Sequence, residues 1–81
     1  EAVGAVWTVE AGTTTDPVQA VVLAHRLRAK GYEAYTVTGK VDTVMWYRVR
    51  VGRFDNHVQA KVLEIKLKQE EGLKEASVVQ Q

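Results

Sequence analysis

Residues 45–54 read MWYRVRVGRF, and this stretch decides the fold. In its middle, a tyrosine and two valines alternate with a tryptophan and two arginines. The two sets are Tyr47, Val49 and Val51, and Trp46, Arg48 and Arg50. Side chains of a β-strand point alternately to the two faces of a sheet, so this alternation predicts a strand with one covered and one uncovered face.

The glycine of this stretch reveals an internal repeat. When Gly52 is aligned with Gly12, identical residues coincide along both halves of the chain, with one insertion before the next glycine. The coincident pairs are Val9 and Val49, Val18 and Val58, Gln19 and Gln59, Ala20 and Ala60, Leu23 and Leu63, Leu27 and Leu67, Gly31 and Gly72, and Val37 and Val78. We therefore predict a single domain over residues 5–81, duplicated over residues 6–38 and 46–79, with residues 1–4 as a flanking linker.

Each half of the chain reads as strand, helix, strand. A stretch rich in Val, Thr and aromatic residues precedes each helix, and each helix has a start signal and an end signal. The start signals are Asp16 with Pro17 and Asn56 with Gln59, and the end signals are Gly31 and Gly72. Between the halves, TGKVDT at residues 38–43 is predicted to form a hairpin loop.

The order βαββαβ predicts an α+β fold of the ferredoxin-like or RRM-like type. In that plan, both helices lie on one face of a four-stranded antiparallel sheet, and strands 1 and 3 lie side by side in the centre. Tyr47, Val49 and Val51 match Trp7, Val9 and Ala11 in the repeat, so we assign all six to the helix-covered face. The opposite face is then uncovered and carries Trp46, Arg48 and Arg50 beside Val6, Thr8 and Glu10.

Composition excludes several classes of function. The 81 residues carry a net charge of +1 and contain no cysteine, which excludes a disulfide framework and a thiolate metal site. No apolar run approaches the length needed to span a bilayer, and contact with a membrane is not expected. Because the chain begins at Glu1 rather than at a methionine, we expect it to be a piece of a longer protein.

Catalytic and metal-binding motifs are not found in the sequence. His25 and His57 lie on or at the start of different helices, without a convergent set of further ligands. Glycine-rich phosphate loops, nucleophile elbows and paired carboxylates are also not found. We predict a non-enzymatic domain with no metal and no cofactor, although a cell-wall enzyme could be attached to it in the parent protein.

The uncovered face has the chemistry of a binding surface. An indole stacks on sugar rings or bases, and arginine offers a planar fork of donors to carboxylates, phosphates and amide oxygens. Three alternatives stay open from the residues alone: an RRM-like surface for single-stranded nucleic acid, a protein-interaction or dimer surface that hides Trp46, and an ordinary cross-strand pair of Arg with Glu10. The low net charge and the carboxylate of Glu10 argue against nucleic acid, which is not an expected partner.

The sequence resembles the SPOR (sporulation-related repeat) domain family over roughly residues 5–80. YRVRVGRF at residues 47–54 and LRAKGYEAY at residues 27–35 carry most of the resemblance. It implies the same βαββαβ fold and a non-catalytic function in binding peptidoglycan, in particular glycan strands stripped of their stem peptides. It also implies a location in the bacterial cell envelope, periplasmic or otherwise extracytoplasmic, with the division septum as the expected target and other division or cell-wall proteins as further partners.

The resemblance also implies which residues bind the glycan. Trp46 and Arg48 match positions that bind in the family, and Glu10, Thr13, Arg50 and Thr8 are expected to line the same surface. The first motif departs from the family pattern, since Glu10 stands where glutamine is frequent and Thr14 where phenylalanine is usual. Glu10 is expected either to form an ion pair with Arg48 or Arg50, or to accept a hydrogen bond from a sugar hydroxyl.

Overall fold

The computed structural model describes residues 6–81, so the predicted linker at residues 1–4 lies outside the described residues. Four strands and two helices follow one another in the predicted order. They are β1 (Trp7–Thr14), α1 (Pro17–Ala29), β2 (Ala34–Val41), β3 (Val44–Phe54), α2 (His57–Glu70) and β4 (Ser77–Gln80). Neither helix of the described residues is long and apolar enough to cross a membrane.

The strands form one antiparallel sheet in the order β2-β3-β1-β4. This confirms that the first and third strands are central. The pairing of β1 with β3 is interrupted twice, between Trp7 and Val9 and between Glu10 and Gly12. Each irregularity adds an unpaired residue, which reverses the face to which the following side chains point. These two bulges determine much of what the uncovered face presents.

The predicted helix signals are confirmed at both helices. The carboxylate of Asp16 accepts a hydrogen bond from the backbone N–H of Val18 at 2.9 Å, and the side-chain oxygen of Asn56 accepts one from Val58 at 2.7 Å. Pro17 occupies the start of α1, where its missing N–H is not needed. Gly31 follows the end of α1 with φ of 94°, a conformation that costs glycine little.

The core lies between the sheet and the two helices. Val9, Ala11, Val49 and Val51 are buried on the sheet side, which confirms the predicted covered face. The helices contribute equivalent positions, Ala20, Ala24 and Leu27 from α1 and Ala60, Glu64 and Leu67 from α2. Glu64 is the exception among them, because a carboxylate stands where α1 has an alanine.

The hairpin loop predicted at residues 38–43 is shorter in the structure. Thr38 to Val41 belong to β2 and pair with Tyr47 to Val44 of β3, which leaves a two-residue turn of Asp42 and Thr43. Both turn residues have positive φ, of 51° and 72°, which matches the right-handed twist of a hairpin. The glycine that suggested a loop, Gly39, instead lies within β2 opposite Trp46.

Candidate functional site on the open sheet face

We call the sheet face opposite the helices the open face. Directly opposed residues of an antiparallel pair share a face, so Glu10 lies beside Arg50, and Thr13 beside Arg48. Strict alternation along β1 would have pointed Glu10 and Thr13 to opposite faces, and the bulge after Glu10 brings them together. The structure thus places four of the six predicted residues in one cluster.

Glu10 joins the two arginines of this cluster. Its Oε1 lies 3.4 Å from Nε of Arg50 and 3.9 Å from Nε of Arg48, and its Oε2 accepts a hydrogen bond from the Thr13 hydroxyl at 3.1 Å. All three charged side chains are partly exposed, so each of the two ion pairs contributes only about 0–1 kcal/mol to the free energy of unfolding. Of the two expectations for Glu10, the ion pair is present in the structure.

Trp46 lies at the hairpin end of the open face. β1 ends at Thr14, opposite Tyr47, so Trp46 has a paired neighbour only on β2, and that neighbour is Gly39. A Cβ at Gly39 would come within 3.2 Å of Nη1 of Arg48. The missing side chain at Gly39 therefore leaves room beside both the indole and the Arg48 guanidinium, a contribution that the sequence analysis missed.

Thr8 does not line the open face as expected. Its relative exposure is 0%, and its hydroxyl donates to the carbonyl oxygen of Gly52 at 2.8 Å and to that of Val51 at 3.1 Å. The hydroxyl of Tyr35 donates to Thr8 Oγ1 at 3.0 Å. The bulge of β3 at this level turns its carbonyls toward Thr8, so this residue holds the sheet together and has no surface for a ligand.

Tyr35 and Arg53 also lie on the open face, and neither was predicted as a site residue. Tyr35 pairs with Arg50, and the Arg53 guanidinium lies over its ring, 4.8 Å from the centroid. Together with Glu33, Ala34 and Gly52 they line an open pocket of about 290 Å³. Arg53 was missed because the same bulge reverses the alternation after Gly52. The signal available in the sequence was a glycine within a strand, and in the structure this glycine has a left-handed conformation with φ of 73°.

A second cluster of charges lies on the other side of the molecule and ties the two helix ends together. Glu71 follows α2 and binds Nζ of Lys30, its counterpart after α1, at 2.6 Å, and it accepts a hydrogen bond from the Tyr32 hydroxyl at 3.3 Å. The bond from Lys30 lowers the pKa of Glu71, while burial and the Glu71 charge raise the pKa of Tyr32. The charged and hydrogen-bonding groups of this cluster are thus paired with one another, and the pairs connect the two halves of the repeat.

The described residues offer little else for metal or acid–base chemistry. Within residues 6–81, no group of three or more His, Cys, Asp or Glu side chains is arranged to hold a metal ion. The His57 ring packs edge-on against Trp7, with the centroids 4.8 Å apart, and so belongs to the packing of α2 on β1. The carboxylate of the buried Glu64 accepts hydrogen bonds from Lys68 and Lys61. Both bonds lower the pKa of Glu64, the Lys68 bond more strongly, whereas burial raises it.

The chain is similar to known proteins in sequence and in fold. The sequence model of the SPOR domain matches residues 4–80. The sequence has no significant match among curated proteins.

Three solved structures share the fold along nearly the whole chain. The peptidoglycan binding domain of the B. subtilis cell wall lytic enzyme CwlC superposes with a TM-score of 0.77 at 23% identity, covering 100% of this chain and 95% of that one. The RlpA SPOR domain from Pseudomonas aeruginosa gives a TM-score of 0.72 at 17% identity, covering 94% and 97%. The Spor protein DedD gives 0.70 at 25% identity, covering 95% of this chain and 39% of DedD.

Proposed function

This chain belongs to the SPOR domain family, and we propose that it is a non-catalytic peptidoglycan-binding module that recognises glycan strands through its open face. The CwlC domain that shares its fold is a peptidoglycan binding domain. The observation that carries the proposal is that Trp46, Arg48 and Arg50 lie on one uncovered sheet face, where the Glu10 carboxylate lies close to both guanidinium groups.

Each residue of the cluster has a separate task in this proposal. Trp46 stacks its indole on the C–H face of a sugar ring. Arg48 donates hydrogen bonds to lactyl, carboxyl or acetyl oxygens, and Arg50 adds positive charge beside it. Glu10 and Thr13 fix the orientation of the arginines, and Thr13 presents its exposed hydroxyl to the sugar.

The preferred ligand is a glycan strand without stem peptides. The open face is a broad sheet surface, and a strand that lies along it must bring sugar rings into contact with Trp46 and Arg48. A stem peptide between the sugar and the sheet would prevent that contact. Because such stripped strands accumulate at division septa, we further propose that the domain directs its parent protein to the septum, outside the cytoplasmic membrane.

Glu10 also favours a glycan over a nucleic acid. Two guanidinium groups and one carboxylate share the centre of the open face, so the cluster holds one excess positive charge. A polyphosphate ligand would meet the Glu10 carboxylate between the two groups that attract it. Neutral sugars with a few carboxylates suit this arrangement better than a continuous run of phosphates.

A pull-down with purified sacculi tests the proposal. Intact sacculi and amidase-treated sacculi, which are rich in stripped strands, are each incubated with the parent domain, with Trp46→Ala and with Met45→Ala. Met45 is the matched control, because it lies on the same strand and is exposed but points to the opposite face. We expect retention to rise with amidase treatment, to fall in Trp46→Ala and to stay unchanged in Met45→Ala. Equal retention of the two variants would show that the open face is not the binding surface.

A further inference from the structure

Arg53 differs from Arg48 and Arg50 in what its guanidinium group contacts. Arg48 and Arg50 both lie close to the Glu10 carboxylate. The Arg53 guanidinium instead lies over the Tyr35 ring, 4.8 Å from its centroid. In the described part of the chain, no carboxylate forms an ion pair with Arg53. A ligand can therefore reach the donors of Arg53 without displacing an anion of the protein.

Tyr35 holds Arg53 in place without neutralising it. The ring is fixed, because the Tyr35 hydroxyl donates a hydrogen bond to Thr8 Oγ1 at 3.0 Å. A cation is attracted to the face of an aromatic ring by the quadrupole of the ring, which carries no net charge. Arg53 is thus positioned by a neutral partner and keeps its full positive charge for an anionic ligand.

Arg53 borders two neighbouring pockets, and each of them also contains a carboxylate. The first is the pocket of about 290 Å³ that Arg53 shares with Tyr35 and Glu33. The second has a volume of about 400 Å³ and is lined by Val6, Arg53, Phe54, Asp55, Gln59 and Gln81. A continuous row of phosphates along these pockets would be repelled by Glu33 and Asp55. A single carboxylate between neutral hydroxyl and amide groups suits the surroundings of Arg53 better.

Arg53 and Trp46 lie near opposite ends of β3 on the same open face. Tyr35, which contacts Arg53, pairs with Arg50, and Arg50 is four residues from Trp46 along β3. At the rise of a β-strand, four residues correspond to about 13 Å. A polymeric ligand that stacks on Trp46 and follows β3 therefore passes Arg50 and reaches Arg53 with a different part of its chain.

We propose that Arg53 and Tyr35 form a subsite for one carboxylate of the glycan, the lactyl carboxylate that is exposed when a stem peptide is removed. This inference rests on the proposed function. In an intact strand the same lactyl group is a neutral amide, so it offers Arg53 no anion. Arginine binds a carboxylate through two parallel charge-assisted hydrogen bonds. Arg53 thereby distinguishes stripped from intact strands, whereas Arg48 bonds to neutral oxygens of the sugars.

Isothermal titration calorimetry with two forms of one glycan fragment tests the subsite. Stripped fragments of a single length are used either untreated or after a carbodiimide and ammonia have converted their carboxylates to primary amides. Each form is titrated into the parent, Arg53→Gln and Arg26→Gln. Arg26→Gln is the matched control, because it makes the same change at an exposed position of α1. We expect amidation to weaken binding to the parent and to Arg26→Gln by about tenfold, and to leave binding to Arg53→Gln nearly unchanged.

Arg48→Gln separates this subsite from the rest of the open face. This variant should bind both forms more weakly than the parent does, yet still lose about tenfold in affinity on amidation. Equal binding of the two forms by the parent would overturn the proposal, as would an equal loss on amidation in Arg53→Gln and the parent. In both cases the proposed function would stand, because the fragments still bind. A parent that binds neither form would overturn the proposed function and the subsite together.

Discussion

Glu10 on β1 and Arg50 on β3 face each other across the two central strands, with Oε1 of Glu10 3.4 Å from Nε of Arg50. The same oxygen lies 3.9 Å from Nε of Arg48, so one carboxylate is shared by two guanidinium groups. An anionic ligand that binds either arginine must compete with Glu10 for it. In the proposed function, the pair therefore limits the strength with which the arginines bind the ligand.

Glu10→Gln should strengthen glycan binding. The amide removes the competing charge but can still accept a hydrogen bond, so we expect affinity for stripped glycan fragments to rise a few-fold. The free energy of unfolding should change by less than about 1 kcal/mol, because the ion pairs are partly exposed. Isothermal titration calorimetry measures the first effect and urea denaturation the second. Glu70→Gln, at the end of α2, is the control, and a loss of affinity in Glu10→Gln would contradict the competition between Glu10 and the ligand.

Arg48→Lys should not preserve binding. Lysine keeps the positive charge but lacks the planar fork of donors, so we expect affinity to fall by at least about tenfold. Arg26→Lys on α1 makes the same chemical change on the helix side and should bind normally. Fluorescence or calorimetric titration with glycan fragments compares the two variants. Normal affinity of Arg48→Lys would mean that Arg48 acts only as a point charge.

Thr8→Val should destabilise the sheet. Valine has nearly the shape of threonine but cannot bond to the Gly52 and Val51 carbonyls or accept the Tyr35 hydroxyl. Leaving buried polar groups without partners costs about 1–3 kcal/mol in the free energy of unfolding. Thr8→Ser retains the hydroxyl and should lose less. Urea denaturation of both variants measures the difference, and equal stability of Thr8→Val and the parent would refute the role of this hydroxyl.

Glu64 should make stability depend on pH in the acid range. Bonds from Lys68 and Lys61 hold the pKa of the native carboxylate below its ordinary value of 4.5. The contribution of Glu64 to the free energy of unfolding is therefore complete above that value, and it is lost as the pH falls through the native pKa. Glu64→Gln should flatten the acid limb of a stability–pH profile, and Glu70→Gln should not. Parallel profiles for Glu64→Gln and the parent would contradict this assignment.

Much of the fold could be predicted because its signals are local. The caps at Asp16 and Asn56, the glycine after α1 and the alternation along β3 each depend on a few neighbouring residues, and the repeat showed each of them twice. The pairing of β1 with β3 then followed from the βαββαβ order alone. The alternation along β3 was sufficient to place Trp46, Arg48 and Arg50 on one face.

The rest of the site depended on two β-bulges. One brings Thr13 to the face of Glu10, and the other buries Thr8 and turns Arg53 onto Tyr35. A bulge reverses the alternation on which a strand prediction rests, and it arises from pairing between strands distant in sequence. Gly39 was misassigned for a related reason, since a glycine within a strand next to a long arginine looks the same in sequence as one in a turn.

The indole signals of the two tryptophans test the central claim most directly. Trp46 lies on the open face, whereas Trp7 packs against the core on the helix side and serves as an internal control. Stripped glycan fragments are titrated into the ¹⁵N-labelled domain while the two indole N–H resonances are followed. We predict that the Trp46 resonance shifts in a saturable way and that the Trp7 resonance stays in place. Saturable binding that moves the Trp7 resonance or neither of the two would contradict glycan recognition by the open face.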